Sequence, residues 1–135
     1  MDELDRRILR LLVIDSRMSY TEMANRVGMS EGTVRKRVRK LVMGGIIARF
    51  TIETGPEVFE AMVLVTTIAG SATSAIAERI SGLRDVISAR EVTGQFDIVA
   101  LLSGDDITSI NRGIDCVRGV EGVSKTNTLF VLNKW

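Results

Sequence analysis

Apolar residues in the first fifty positions recur every three or four residues, which is the spacing of amphipathic helices. The first run begins at Leu4, where acidic neighbours suit the positive end of a helix dipole, and it predicts a helix ending near Asp15. Ser19 stands three residues before Glu22, the spacing of a capping box. The sequence therefore predicts a short second helix, which Gly28 closes.

A third run, over residues 30–47, combines an apolar spine with a basic exterior. Ser30 is a good N-cap, and Val34, Val38 and Leu41 fall on one helical face. The other faces carry five cations: Arg35, Lys36, Arg37, Arg39 and Lys40. Such a charge run is often only a solvated helix face. Here a helix, a short helix, a tight turn and a basic helix follow the order of a helix-turn-helix.

The pattern changes after Gly44-Gly45, which stops the third helix. Residues 46–54 include β-favouring Ile47, Phe50 and Ile52, as expected of the small wing of a winged helix-turn-helix. The only proline lies in the segment Gly55-Pro56-Glu57, which is typical of a hinge. We therefore predict a DNA-binding domain at 1–54, a hinge at 55–60 and a second domain at 61–135.

Beyond the hinge, apolar β-branched runs alternate with runs of helical spacing. Strands are predicted at residues 61–68, 86–92, 96–102 and 123–132. One helix separates the first two strands, and another begins at Asp105-Asp106 and ends near Gly119. The order βαββαβ predicts a ferredoxin-like domain, so the chain as a whole is α+β. A domain of this size buries a modest core, and self-association is expected.

Charge is divided unevenly between the two parts of the chain. Residues 1–50 carry eleven Lys/Arg and six Asp/Glu, and residues 51–135 carry seven and eleven, which gives +5 and −4. A basic N-terminal part favours nucleic acid as its partner. A membrane surface is disfavoured, because no basic helix also presents bulky exposed apolar residues.

The residue inventory argues against an enzyme. The chain has no histidine and one cysteine, which rules out Ser-His-Asp and Cys-His sites and His-ligated or thiolate-cluster metal sites. We expect no metal and no cofactor. Cys116 predicts no intrachain disulfide, and its expected place is the core face of a helix. Without a bilayer-length apolar run or a signal peptide, the expected location is the cytoplasm.

Residues on and near the basic helix are the candidates for contact with double-stranded DNA. With the apolar spine buried, Lys36, Arg39 and Lys40 point outward, and Gly32 allows close approach to a groove. Ser19 is a phosphate contact or simply an N-cap. From these residues alone, the predicted contacts are Ser19, Thr21, Gly32, Thr33, Arg35, Lys36, Arg39, Lys40 and Arg49. One small domain makes few contacts, so two copies reading a palindrome are expected.

Two motifs resemble the Lrp/AsnC, or feast/famine, family of transcriptional regulators. The segment LDRRILRLLVIDSRMSYTEMANRVGMSEGTVRKRVRKLVMGGII is similar to the family's N-terminal signature almost end to end. The segment Gly94-Gln95-Phe96-Asp97 resembles its Gly-x-(Tyr/Phe)-Asp motif between the second and third strands. The resemblance covers the whole chain, and both motifs stand in the family's order.

The resemblance implies that Ser30 to Lys40, with Ser30 and Glu31 included, is the DNA-recognition helix. It further implies a homodimer that assembles further, often to an octamer, and a small effector, usually an amino acid, between dimers. The implied effector-binding residues are Gly94, Gln95, Asp97, Thr126 and Thr128. An α-amino group favours a carboxylate such as Asp97, whereas hydroxyl groups and backbone N–H groups suit a carboxylate.

Plainer interpretations of these residues stay open. Gly94 suits any turn, and Thr126 and Thr128 suit any strand. An architectural DNA-binding protein of the same fold, without an effector, is the main alternative to a regulator. A group of tetrapyrrole decarboxylases is similar in architecture, but those enzymes depend on histidines, which this chain lacks.

Overall fold

The computed structural model describes all 135 residues, which form two compact units, Met1–Glu53 and Thr54–Trp135. The first unit contains three helices: α1 (Glu3–Ile14), α2 (Tyr20–Val27) and α3 (Glu31–Met43). Their buried faces meet in an aliphatic core around Ile8, Met23 and Val34, which are 0%, 1% and 0% exposed. No aromatic side chain is needed at the centre of this core.

Local hydrogen bonds explain where α2 and α3 begin and end. The hydroxyl oxygens of Ser19 and Ser30 accept from the backbone N–H groups of Glu22 and Thr33, at 3.1 and 3.2 Å. Gly28 closes α2 with φ +71°, a left-handed conformation that favours glycine. The predicted helix-turn-helix is therefore confirmed.

The expectation of a β-rich wing at residues 46–54 is wrong for this chain. The segment forms no strand. A strand requires a hydrogen-bonded neighbour, and this unit contains only helices and loops. Ile47 packs against the helical core, whereas Phe50 and Ile52 are exposed. Their β-propensity therefore does not produce a strand within one chain.

The second unit contains four strands and two helices in the order βαββαβ. These elements are β1 (Phe59–Thr67), α4 (Thr73–Ser81), β2 (Val86–Glu91), β3 (Ile98–Gly104), α5 (Ile107–Arg118) and β4 (Val123–Phe130). The sheet order is β2-β3-β1-β4, and every neighbouring pair is antiparallel. The predicted ferredoxin-like fold is confirmed, with strand ends that differ by two residues or fewer.

The core of the second unit lies between the sheet and its two helices. Alternate strand residues such as Val63, Ala100 and Leu102 are fully buried and pack with apolar residues of α4 and α5. The opposite sheet face also carries apolar side chains, but it is partly open: Met62 and Leu129 are 42% and 50% exposed. Apolar surface on this second face is therefore in contact with solvent.

Cys116 does not belong to the core, contrary to expectation. It is exposed on α5, whose buried face consists of Ile110, Gly113, Ile114 and Val117. Residue 116 falls outside that stripe because of the 3.6-residue helical period.

No helix of the protein is long and apolar enough to cross a lipid bilayer.

Candidate nucleic-acid interface and effector site

The solvent-facing side of α3 carries three cations without a carboxylate partner. Val34, Val38 and Leu41 are buried. Lys36, Arg39 and Lys40 are exposed and belong to no ion pair, so their charges are available to a polyanion. We name Lys36, Arg39 and Lys40 the cationic face.

Gly32 lies one turn before Lys36, and therefore on the same side of α3. It is exposed, and a Cβ atom built on it would meet no atom within 4 Å. The beginning of α3 is therefore open to a close approach by another molecule. This placement agrees with the role that the sequence suggests for Gly32.

Arg37 has a structural partner that the charge pattern does not reveal. Its Nη1 atom lies 3.1 Å from Oδ1 of Asp5 and also contacts the carboxylate of Asp2. The side chain of Asp5 is only 6% exposed. The pKa of Asp2 is lowered by the hydrogen bond from the Asp5 backbone N–H and then by Arg37, whose own pKa is raised by these carboxylates. Arg37 therefore joins α3 to the start of α1.

Arg35 is held at the junction of α2 and α3. Glu31 binds Arg35 through its carboxylate and accepts a 2.8 Å hydrogen bond from the Thr21 hydroxyl. The pKa of Glu31 is lowered, chiefly by the bond from Arg35 and then by that from Thr21. The guanidinium of Arg35 also lies 5.1 Å from the ring centre of Tyr20, within cation–π range. Tyr20 therefore helps to position Arg35, a role that the sequence alone did not reveal.

The predicted hydroxyl contacts have local partners within this unit. Ser19 and Ser30 cap helices, and the Ser30 and Thr33 oxygens lie 2.8 Å apart. Thr21 is bound to Glu31. Arg49 is exposed in the segment after α3. Within the predicted DNA-binding set, the cationic face is therefore unpaired. The hydroxyl residues, Glu31 and Arg35 also make contacts that hold the helices.

The predicted effector residues are only partly gathered by one chain. Gly94, with φ +115°, and exposed Gln95 lie in the turn between β2 and β3. Asp97 follows, and its Oδ2 accepts hydrogen bonds from the backbone N–H and hydroxyl of Thr67, at 2.7 and 3.0 Å. This carboxylate therefore already fixes the end of β1.

The two threonines lie on β4, on the far side of β1 from Asp97. The backbone N–H of Asp97 donates to the carbonyl of Val65, and Val65 stands opposite Thr126 in the β1–β4 pair. Two strand spacings separate Asp97 from Thr126, about 10 Å. Within one chain the side chain of Asp97 contacts Thr67, and neither threonine hydroxyl contacts Asp97.

The threonine hydroxyls face the helical side of the sheet, since Thr126 and Thr128 pair with buried Val65 and Val63. The Nε–H of Arg118 donates to the Thr126 hydroxyl at 3.1 Å. The Thr128 hydroxyl is buried and makes no hydrogen bond. No group of three or more potential metal ligands is present.

A basic helix-turn-helix and a ferredoxin-like domain in one chain define a class of DNA-binding regulators with a ligand-binding domain. Residues 1–42 match the AsnC-type helix-turn-helix domain, and residues 60–135 match the Lrp/AsnC ligand binding domain. The chain belongs to the Lrp/AsnC family of transcriptional regulators. The names of the family and of its members are those of transcription regulators rather than enzymes.

Several known proteins are similar along their whole length. The HTH-type transcriptional regulator LysM of Saccharolobus solfataricus is 40% identical, over 100% of this chain and 96% of that protein. The structure of the leucine response regulatory protein (LrpA) of Mycobacterium tuberculosis has a TM-score of 0.78 and 26% identity, over 100% and 94%. A Neisseria meningitidis transcriptional regulator, solved as an L-Met complex, has a TM-score of 0.75 and 21% identity, over 99% and 91%, and shares the fold.

Proposed function

We propose that this regulator recognises specific DNA sequences through α3, with two copies bound to a palindromic site. The cationic face carries this proposal. Arg35 and Arg37 are held by carboxylates of their own unit, whereas Lys36, Arg39 and Lys40 are not. Cations without a protein partner are the ones that replace condensed counterions on DNA.

A salt series on duplex DNA tests this role of α3. The probe is a fragment selected from random sequences by the wild-type protein, and the variant carries Lys36→Ala together with Arg39→Ala. The slope of log affinity against log salt concentration is negative, and each lost phosphate contact makes it shallower by about 0.9. Two copies bind the site, so the variant loses four contacts, and we therefore expect a slope shallower by about 3.6 and weaker binding at every salt concentration.

Arg79→Ala serves as the matched control for the lost charge. Arg79 is half exposed on α4, in the other unit, and its nearest carboxylate is that of Glu121 at 3.7 Å. The control is expected to retain the wild-type slope. An unchanged slope in the Lys36/Arg39 variant, with its oligomer intact by sedimentation, would show that α3 does not contact DNA.

We also propose that the apolar outer face of the sheet joins two chains into a homodimer. Met62 and Leu129 are exposed at neighbouring positions of β1 and β4, where they pair in register. Their burial by a second copy would remove apolar surface from water. Further assembly, up to an octamer, is proposed from the family resemblance. Residues 55–60 are proposed as the hinge, although Phe59 and Glu60 already belong to β1. The Val58 N–H donates to the Gly55 carbonyl at 3.2 Å within this segment.

An amino acid is the proposed effector of the Gly94–Asp97 turn. The match to the Lrp/AsnC ligand binding domain supports this proposal, and the Neisseria regulator of the same fold was solved as an L-Met complex. Asp97 contacts Thr67 and Thr126 contacts Arg118 within one chain, and we propose that a second chain completes the site. Binding between dimers provides that second chain.

Thermal unfolding in the presence of each of the twenty amino acids tests the effector, since a ligand that binds only the folded state raises the melting temperature. At least one amino acid is expected to raise it at millimolar concentration. The architectural alternative, with no effector, has its own support: Thr67 and Arg118 already satisfy Asp97 and Thr126. If none of the twenty amino acids shifts the melting temperature, the architectural role is favoured.

A further inference from the structure

A second concavity lies at the opposite end of the sheet from the Gly94–Asp97 turn. Its volume is about 340 Å³, within the range of small-molecule sites, about 300–1,000 Å³. It lies where β2 begins and β3 ends, so the seven residues of β3 separate it from the turn by about 20 Å. The two places are distinct.

Four charged side chains line this concavity: Arg84, Asp85, Asp105 and Arg112. They come from three separate segments, before β2, after β3 and on α5. None of the four side chains has a hydrogen bond or an ion pair with another group of the protein. Two positive and two negative residues therefore line one small volume without forming ion pairs, and Arg112 also has a favourable electrostatic interaction with Asp106.

Two glycines, Gly104 and Gly113, allow α5 to pack closely against the strand that borders the concavity. A Cβ on Gly113 would lie 2.8 Å from Leu102 Cδ2 and 3.3 Å from Asp85 Cβ. A Cβ on Gly104 would lie 2.7 Å from the Ser109 hydroxyl oxygen. The helix that carries Arg112 is thus packed directly on Asp85 and on the end of β3. The charged side chains extend from tightly packed backbone, which favours a preformed site.

We propose that this concavity binds a free α-amino acid as a zwitterion, at a site separate from the Gly94–Asp97 turn. Arg84 and Arg112 bind its carboxylate, because guanidinium groups match carboxylate geometry. Asp85 and Asp105 bind its ammonium group. Ser103 and Val58 also line the concavity, near the position of the ligand's side chain. Val58 lies just before β1 and within residues 55–60, the proposed hinge, so a bound ligand lies against the hinge itself.

Calorimetric titration of the full chain with the twenty amino acids tests the site. For the best ligand, Arg84→Ala and Asp85→Asn are each expected to weaken binding at least tenfold, through loss of a charge-assisted contact. Arg79→Ala, an exposed arginine outside the concavity, is the matched control and is expected to bind as the wild type does. Asp97→Asn is expected to leave this binding in place, because it alters only the other site.

The ligand itself provides a second readout. The amide of the best amino acid lacks the carboxylate, and the corresponding des-amino acid lacks the ammonium group; both are expected to bind at least tenfold more weakly. Binding that Asp97→Asn abolishes and Arg84→Ala leaves unchanged would assign the ligand to the turn and overturn this proposal while sparing the effector proposed there. Absence of any amino-acid binding overturns both, and the salt series on DNA still tests α3 independently.

Discussion

Removal of the ammonium group of Lys134 is expected to destabilise the second unit. Lys134 Nζ donates to Glu60 Oε1 at 2.5 Å, and to the carbonyl and hydroxyl oxygens of Thr54 at 3.1 and 3.2 Å. The side chains of Lys134 and Glu60 are 18% and 12% exposed. This cluster connects the last residues of the chain to β1 and to the first residue of the unit. Lys134→Met keeps the length of the side chain and removes its charge.

The expected loss of stability follows from the burial of the Lys134–Glu60 ion pair. Removing one partner of a fully buried ion pair costs about 3–5 kcal/mol, whereas an exposed pair contributes about 0–1 kcal/mol. Glu60 keeps a 2.9 Å hydrogen bond from the Thr54 hydroxyl, which compensates part of the loss. We therefore expect Lys134→Met to lower the free energy of unfolding by about 2 kcal/mol.

Urea denaturation followed by circular dichroism, at one fixed protein concentration, measures this change. Lys36→Met is the matched control, because Lys36 is exposed and unpaired, and it is expected to stay within about 0.5 kcal/mol of wild type. The double variant Lys134→Met/Glu60→Gln is expected to cost less than the sum of the single changes. A cost for Lys134→Met no larger than that of the control, or strict additivity in the double variant, would refute the reasoning.

Two further predictions concern α1 and the sheet. The folded-state pKa of Asp2 is lowered below its ordinary 3.8, so its contribution to stability is present above that value and is lost as the pH falls through the folded pKa. Unfolding measured from about pH 5 to about pH 2 is expected to show this loss, and Asp2→Asn is expected to flatten it; an equally steep profile in the variant would contradict it. Met62→Asp places a charge on the apolar outer face of the sheet and is expected to weaken the dimer in sedimentation equilibrium, whereas Ser74→Asp on α4 is expected to leave it intact.

Local signals explain which elements are predictable from the sequence. Ser19 and Ser30 cap their helices through backbone groups three residues away, and Gly28 supplies the left-handed residue that closes α2. The interactions that define these boundaries lie within a few residues, so a short stretch of sequence contains them. The strands of the second unit are likewise indicated by apolar runs between turn residues.

Interactions between distant residues account for what the sequence did not predict. A wing at 46–54 requires a partner strand, which the propensities of Phe50 and Ile52 do not provide. Arg37 belongs to the basic run by composition, but its partner Asp5 lies 32 residues away and becomes visible only in the packed helices. Likewise, no motif marks the convergence of Arg84 and Arg112, which depends on how α5 packs against β3.

Only three of the five cations of α3 are unpaired, and this number limits the affinity of one copy for DNA. If Lys36, Arg39 and Lys40 each neutralise one phosphate, α3 contributes a salt slope of about −2.7, since each contact contributes about 0.9. Two copies on a palindrome contribute about −5.4 from their α3 helices, whereas a single copy that used all five cations of α3 would contribute about −4.5. Contacts outside α3 also add to the measured slope, so the total alone does not separate two copies with three cations each from one copy with five. Arg35→Ala separates them: one copy with five loses about 0.9 of its slope with Arg35, and two copies with three each lose none, because Arg35 stays with Glu31 and Tyr20.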